Sequence, residues 1–214
     1  KKVVSTRYAA IRIIDTISDT NHIQFDARYD GLTCTIRTRA QDHSMHPVIS
    51  NTLQRLFTRL IYEYGGLVMH ASAVLKDNKA HVFIGHSGAG KTTAVKICAA
   101  NGHTIIADNF TFIAKDKYGY VVLPFPFDQF HNRLHRPSVA LSSIYVLRKS
   151  LRIAAMPITG AGKWICLQRY GQIQMPDTKH DLSVTPKILF DFLHSVTMYT
   201  LQFTKTDNFW LSLQ

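Results

Sequence analysis

Residues Gly85-His86-Ser87-Gly88-Ala89-Gly90-Lys91-Thr92 fit the pattern G-x-x-x-x-G-K-[ST] without a mismatch. No other stretch constrains the fold as much, because the pattern dictates structure on both of its sides. His81-Val82-Phe83-Ile84 before it reads as a buried strand. Ala94, Val95, Ile97 and Cys98 after it recur at helical spacing, and Gly102 supplies a helix stop. Between them, Gly85, Gly88 and Gly90 are expected at φ > 0, so that backbone N–H groups close around phosphate oxygens. The helix start adds its partial positive charge to the same place. Lys91 is of a length to reach β- and γ-phosphates, and the Thr92 hydroxyl suits Mg²⁺. The alternative, a glycine turn that happens to precede a helix, requires nothing of Lys91 or Thr92. The residues expected to hold a nucleotide are Gly85, Ser87, Gly88, Ala89, Gly90, Lys91, Thr92 and Thr93.

The flanks predict the sheet. The apolar run Gly66 to Leu75 is expected to pair with Ala80–Ile84 across a turn at Lys76-Asp77-Asn78-Lys79. Antiparallel pairing of 67–75 with 80–85 would make the sheet mixed, since a parallel neighbour needs a crossover instead. Thr104 to Asp108 reads as a strand ending in a carboxylate. Phe110–Ala114 and Tyr120–Leu123 read as a hairpin around residues 115–119. Leu123-Pro124-Phe125-Pro126-Phe127 is no central strand, because its prolines remove ladder donors. Ser143–Leu147 and Met198–Phe203 read as strands, and Thr159–Tyr170 and Pro186–Ser195 as helices. Upstream, Arg7–Ile17, His22–Tyr29 and Leu32–Thr38 read as strands, the last two around Asp30-Gly31. Gln41 to Pro47 is a polar loop. Ile49, Leu53, Leu56, Phe57, Leu60, Ile61 and Tyr64 then form one helix face that exits at Gly65-Gly66. The fold class is therefore α/β: a P-loop-containing mixed sheet flanked by helices (residues 66–214), with an N-terminal β-rich layer of hairpin and helix (residues 1–65).

Composition removes several function classes. A chain of 214 residues with 46% hydrophobic and 18% charged residues has ample material for a core. No apolar run approaches the ~20 residues of a membrane span. The chain opens at Lys1-Lys2 without Met, which leaves its true start and any removed targeting segment open. Cys34, Cys98 and Cys166 are odd in number and widely spaced, which points away from a disulfide framework or zinc site and towards a reducing, cytoplasmic setting. The net charge of +11 raises a nucleic-acid partner, but Lys and Arg are spread in runs no longer than pairs such as Arg148-Lys149. A scattered basic surface explains it better, and no stacking-aromatic RNA motif or zinc finger accompanies the charge.

Outside the glycine motif, Asp108 is the first chemical candidate. It ends a strand after one crossover helix, which predicts a place beside the glycine turn across one strand spacing. A carboxylate there could hold Mg²⁺ or take a proton from an attacking hydroxyl; the alternative is an N-cap or turn Asp. Asn109 could be a neutral metal contact or a turn residue. His70 closes Leu67-Val68-Met69 and is either a site residue or a hydrogen-bonded core histidine. His86 is expected to point outward. His131, Arg133, His135 and Arg136 either clamp an anion or form a solvated basic loop.

Three segments together resemble a known family: Leu67 to Val74 with His70, Gly85 to Thr93, and Gly102-His103-Thr104-Ile105-Ile106-Ala107-Asp108-Asn109. They are similar to the catalytic domain of HPr kinase/phosphorylase, and closer to the shorter HPr-kinase-like serine kinases, including those that modify lasso peptides. That family shares its fold with ATP-dependent phosphoenolpyruvate carboxykinase. The motif-bearing core covers about residues 66–110, with weaker echoes in Leu141–Leu147 and Val196–Leu201. The resemblance implies that His70 lines the phosphate site, that Gly85–Thr92 cradles ATP, and that Asp108 is the base for a serine hydroxyl. It implies Lys91 as a catalytic cation, and Thr92, Asp108 and Asn109 around Mg²⁺. Two departures stand out. Family members commonly carry a second Asp where this chain has Asn109, and the bifunctional enzymes carry Glu where Thr93 stands. Their phosphorolysis-associated region has no recognisable counterpart.

The expected activity is Mg-ATP-dependent transfer of the γ-phosphoryl group to a serine hydroxyl on a protein, peptide or small molecule. Two rivals stay open: a weakened nucleotide-binding or sensing module, favoured by Asn109, and a basic ATPase working on nucleic acid. Neither the acceptor nor the oligomeric state, homo-oligomer included, is fixed by the sequence.

Overall fold

In the computed structural model the described residues are 9–18, 21–29, 34–37, 54–55, 57–124, 137–174, 185–204 and 208–213. The chain divides into two units, Lys1–Phe57 and Thr58–Gln214. In the first, β1 (Ala9–Ser18), β2 (Asn21–Tyr29) and β3 (Cys34–Arg37) form an antiparallel sheet in that order. The β2–β3 pairing is the one that Asp30-Gly31 predicts, although those two residues lie outside the described set. So do the Gln41–Pro47 loop and the Ile49–Leu53 start of the expected helix.

The second unit begins inside helix α1, of which residues 58–63 fall in this unit and which ends as expected at Gly65-Gly66. Gly65 takes φ 73, and Gly66 N–H donates to Ile61 O at 2.9 Å. Next come β4 (Leu67–Met69), β5 (Ser72–Lys76), β6 (Lys79–Ile84), α2 (Lys91–Ala100), β7 (Thr104–Ala107), β8 (Thr111–Asp116) and β9 (Gly119–Leu123). The remainder is β10 (Val139–Lys149), β11 (Ala154–Ile158), α3 (Ala161–Tyr170), β12 (Ile173–Gln174), α4 (Thr185–Ser195), β13 (Thr197–Phe203) and a 3-10 turn, Phe209–Ser212. Ten strands form one mixed sheet in the order β12-β4-β8-β9-β10-β6-β5-β7, with β13 beside β10 and β11 beside β13. β10 runs parallel to β6 and β13, while the β5–β6 pair is antiparallel.

Side-chain alternation explains why Val82–Ile84 of β6 and Ile144–Leu147 of β10 are apolar at consecutive positions. On β6, Val82 and Ile84 face a core shared with Leu167 of α3 and Phe192 of α4; Phe83 faces the other core, with Val95 and Cys98 of α2. On β10, Ile144 and Val146 alternate with Tyr145 and Leu147 in the same way. Strands covered on both faces lose the polar half of their pattern, and each such large side chain contributes about 1.5–3 kcal/mol by burial.

Two expectations need correction. The run 67–75 is not one strand: Ala71 N–H donates to Met69 O at 2.9 Å and bends the chain at His70. β5 alone pairs with β6, around Asp77 and Asn78 at φ 50 and 61, while β4 pairs with β8. Nor is β7 the neighbour of β6, because β5 lies between them.

Candidate functional site

Strand β6 delivers the chain to Gly85, and the turn to Gly90 leads into α2. The three glycines serve different needs. Gly88 and Gly90 hold φ 74 and 102, as expected. Gly85 does not take positive φ; it is required for room, since a Cβ there would lie 2.7 Å from the Ala89 Cβ. The Ala89 side chain is accordingly buried under the turn. α2 starts with Gly90 as its N-cap, without a side-chain cap and without an acid in its first turn. Its leading N–H groups therefore meet no negative side chain of their own helix.

Lys91 is buried, and its Nζ donates to Gly85 O at 2.9 Å and to His86 O at 3.3 Å. Burial lowers its pKa, and the Asp108 carboxylate opposes that shift. Asp108 follows the last residue of β7. One strand spacing further out than expected, it still meets the helix: Thr92 Oγ1 donates to its Oδ1 at 3.1 Å. Ser72, fully buried at the start of the intervening β5, donates to the same oxygen at 2.5 Å. Ser72 is thus a site residue that the sequence reading passed over, although it lies within the motif-bearing stretch. Asn109 takes φ 92, a left-handed conformation that Asn tolerates better than most residues.

A cavity of about 550 Å³ opens beside the turn. Eight expected residues line it: His70, Ser87, Gly88, Gly90, Lys91, Thr92, Thr93 and Asn109. Gly85, Ala89 and Asp108 stand behind this lining. His86 is exposed, with its Nδ1 2.6 Å from Ser87 O. Five unexpected residues complete the wall: Lys149, Ser150, Leu151, Phe203 and Thr204. They arrive there because β10 and β13 pair in parallel, with Lys149 opposite Phe203. Only a long-range register brings them together, so no local signal marks them.

The oxygen donors suit Mg²⁺. Octahedral Mg²⁺ holds ligands at ~2.1 Å, so neighbouring ligand oxygens lie about 3 Å apart. Thr92 Oγ1 and Asp108 Oδ1 have that spacing. Among the described residues no three His, Cys, Asp or Glu side chains converge as a metal site. Such a donor pair fits a cation held largely by phosphate and water rather than by a protein cage. Cys98 is buried and its thiol pushed up to about 12 by desolvation, which leaves it inert. His131, Arg133, His135 and Arg136 lie outside the described residues. Among the described residues no helix is long and apolar enough to cross a membrane.

No curated protein matches the sequence. Among solved structures the chain is similar to the Hpr(Ser) kinase/phosphatase from Coxiella burnetii, at 13% identity and a TM-score of 0.32, over 59% of this chain and 97% of that one. A likeness that slight carries no argument about the site. The family model described as SynChlorMet cassette protein ScmC matches residues 32–214, and the chain belongs to that family.

Proposed function

We propose that the cavity binds Mg-ATP and that the protein transfers the γ-phosphoryl group to a serine hydroxyl. The observation that carries this reading is the convergence of Lys91, Thr92 and Asp108 at the start of α2, where uncapped N–H groups and a buried ammonium leave a positive place for phosphates. Thr92 and Asp108 would hold Mg²⁺, which supplies charge neutralisation to the phosphates. Lys91 exchanges its two carbonyl partners for phosphate oxygens, a stronger pairing because both members are charged. Asp108 receives the proton of the acceptor hydroxyl while the seryl oxygen bonds to the γ-phosphorus and the bond to ADP breaks. Ser72 fixes the carboxylate in place by its short hydrogen bond.

A second reading, a nucleotide-binding module without transfer, is favoured by Asn109: the left-handed turn beside Asp108 carries an amide, which adds no charge for a metal. The two readings separate in a paired measurement of ATP affinity and phosphate transfer. Lys91→Ala is expected to abolish useful Mg-ATP binding with the fold intact. Asp108→Asn is expected to keep ATP binding and lose transfer by ~10²–10⁴-fold. Binding without transfer in the unaltered protein supports the sensing module, and ATP affinity unchanged in Lys91→Ala overturns both.

A further inference from the structure

His70 stands where β4 bends, and its surroundings decide which face of its ring the cavity meets. Strand β12 pairs with β4, Ile173 opposite Met69, which sets Gln172 against His70. Two hydrogen bonds join them. The His70 backbone N–H donates to Gln172 O at 3.3 Å, and the ring Nδ1 lies 2.7 Å from Gln172 Oε1. Gln172 adopts φ 42 to do so, a left-handed conformation costing roughly 1–2 kcal/mol in a residue of this type. Strain of that kind is retained where the surroundings fix it, and it clusters at ligand sites. The surroundings here are tight: α3 ends on Gly171, whose N–H donates to Leu167 O at 2.8 Å, and Gln174 Nε2 donates to Gln172 O at 3.3 Å.

An amide oxygen only accepts hydrogen bonds. The hydrogen of a neutral His70 therefore sits on Nδ1, and Nε2 carries the lone pair. Nε2 has no hydrogen-bond partner among the described residues, and His70 lines the cavity that also holds Lys91 and Asn109. A lone pair there accepts a hydroxyl proton in a hydrogen bond and repels the oxygens of a carboxylate or phosphate.

On the phosphoryl-transfer reading, we propose that Gln172 is a positioning residue that locks His70 with its hydrogen on Nδ1, so that Nε2 holds the incoming acceptor hydroxyl by its hydrogen until that hydrogen turns to Asp108, which takes the proton in the transfer step. The cavity is thereby sorted into a phosphate end at Lys91 and an alcohol end at His70. The acceptor class that fits is a hydroxyl compound, and an acidic acceptor is disfavoured by the same lone pair.

The test is nitrogen NMR of the full chain labelled at histidine, at mildly alkaline pH. His70 is expected to show a protonated Nδ1 and an unprotonated Nε2. Gln172→Leu should shift the population towards hydrogen on Nε2, the form favoured by a free imidazole, and Gln172→Glu should restore the original form. Serine amide, added as the hydroxyl probe, should shift the Nε2 resonance, whereas inorganic phosphate should leave Nε2 unprotonated. Hydrogen on Nε2 in the unaltered protein, a tautomer unmoved by Gln172→Leu, or an Nε2 indifferent to serine amide overturns the proposal. These readouts need no turnover. ATP affinity unchanged in Lys91→Ala would instead overturn the nucleotide reading, whatever the tautomer.

Discussion

His81 shows how one residue in the central strand ties stability to pH. It is buried on β6, and its Nδ1 finds no hydrogen-bond partner. Desolvation first, then the charge of Lys76, lowers its pKa from 6.5 to about 4; the Lys76 backbone and Asp77 oppose the shift. Below the ordinary value the unfolded chain binds a proton that the folded chain refuses. Stability is therefore complete above about pH 6.5 and falls as pH drops towards about 4, by up to about 3 kcal/mol from this residue. Urea midpoints at about pH 7 and about pH 4.5 measure it. His81→Val, which removes the titrating ring from a strand position that suits a β-branched side chain, should flatten the slope in that window. A slope unchanged by the substitution would place the acid sensitivity elsewhere.

At the scale of elements, the turn between β6 and α2 separates steric from conformational demands on glycine. Gly85→Ala meets the Ala89 Cβ at 2.7 Å, an overpacking that costs about 1–3 kcal/mol. Gly88→Ala meets nothing within 4 Å and pays only for φ 74, about 1–2 kcal/mol. Thermal unfolding should therefore rank Gly85→Ala as at least as damaging as Gly88→Ala. ATP affinity should fall in both, because each reshapes the backbone that carries the N–H groups. An intact ATP affinity in Gly85→Ala would show that the turn relaxes without losing its shape.

The same elements show what sequence can carry. Residues 81–84, the glycine turn and the first turns of α2 were legible because each is fixed by neighbours along the chain: apolar residues, positive φ, helical spacing. The β5–β6 turn was legible for the same reason, since Asp77 and Asn78 tolerate the left-handed region. β12 was not legible. It is two residues long and exists only through pairing with β4. β11 carries Pro157 on a strand that, among the described residues, pairs on one side alone, and its residues follow no clean alternation. The insertion of β5 between β6 and β7 is also a long-range choice, which is why Asp108 was expected one strand too close and Ser72 went unnoticed.

At the scale of the whole molecule, every residue in the proposed reaction belongs to the second unit. His70, Ser72, Lys91, Thr92, Asp108 and Gln172 lie on β5, α2 and the segments that follow β4 and β7 or precede β12. Among the described residues, all ten strands of its sheet and the cores on both of its faces fall within Thr58–Gln214. α1 is tied into this unit by the hydrogen bond between the Tyr62 and Thr185 hydroxyls. A chain shortened to residues 58–214 should therefore fold and bind Mg-ATP as the full chain does. Ligand stabilisation provides the measure, because a ligand that binds only the folded state at a hundred times its Kd adds about 2.7 kcal/mol. Full-length and shortened proteins should gain equal stabilisation from Mg-ATP, and Lys91→Ala should remove the gain from both. A shortened chain that unfolds cooperatively yet gains nothing from Mg-ATP would mean that residues 1–57 contribute to the nucleotide site. The proposed reaction would then have to be rebuilt around both units.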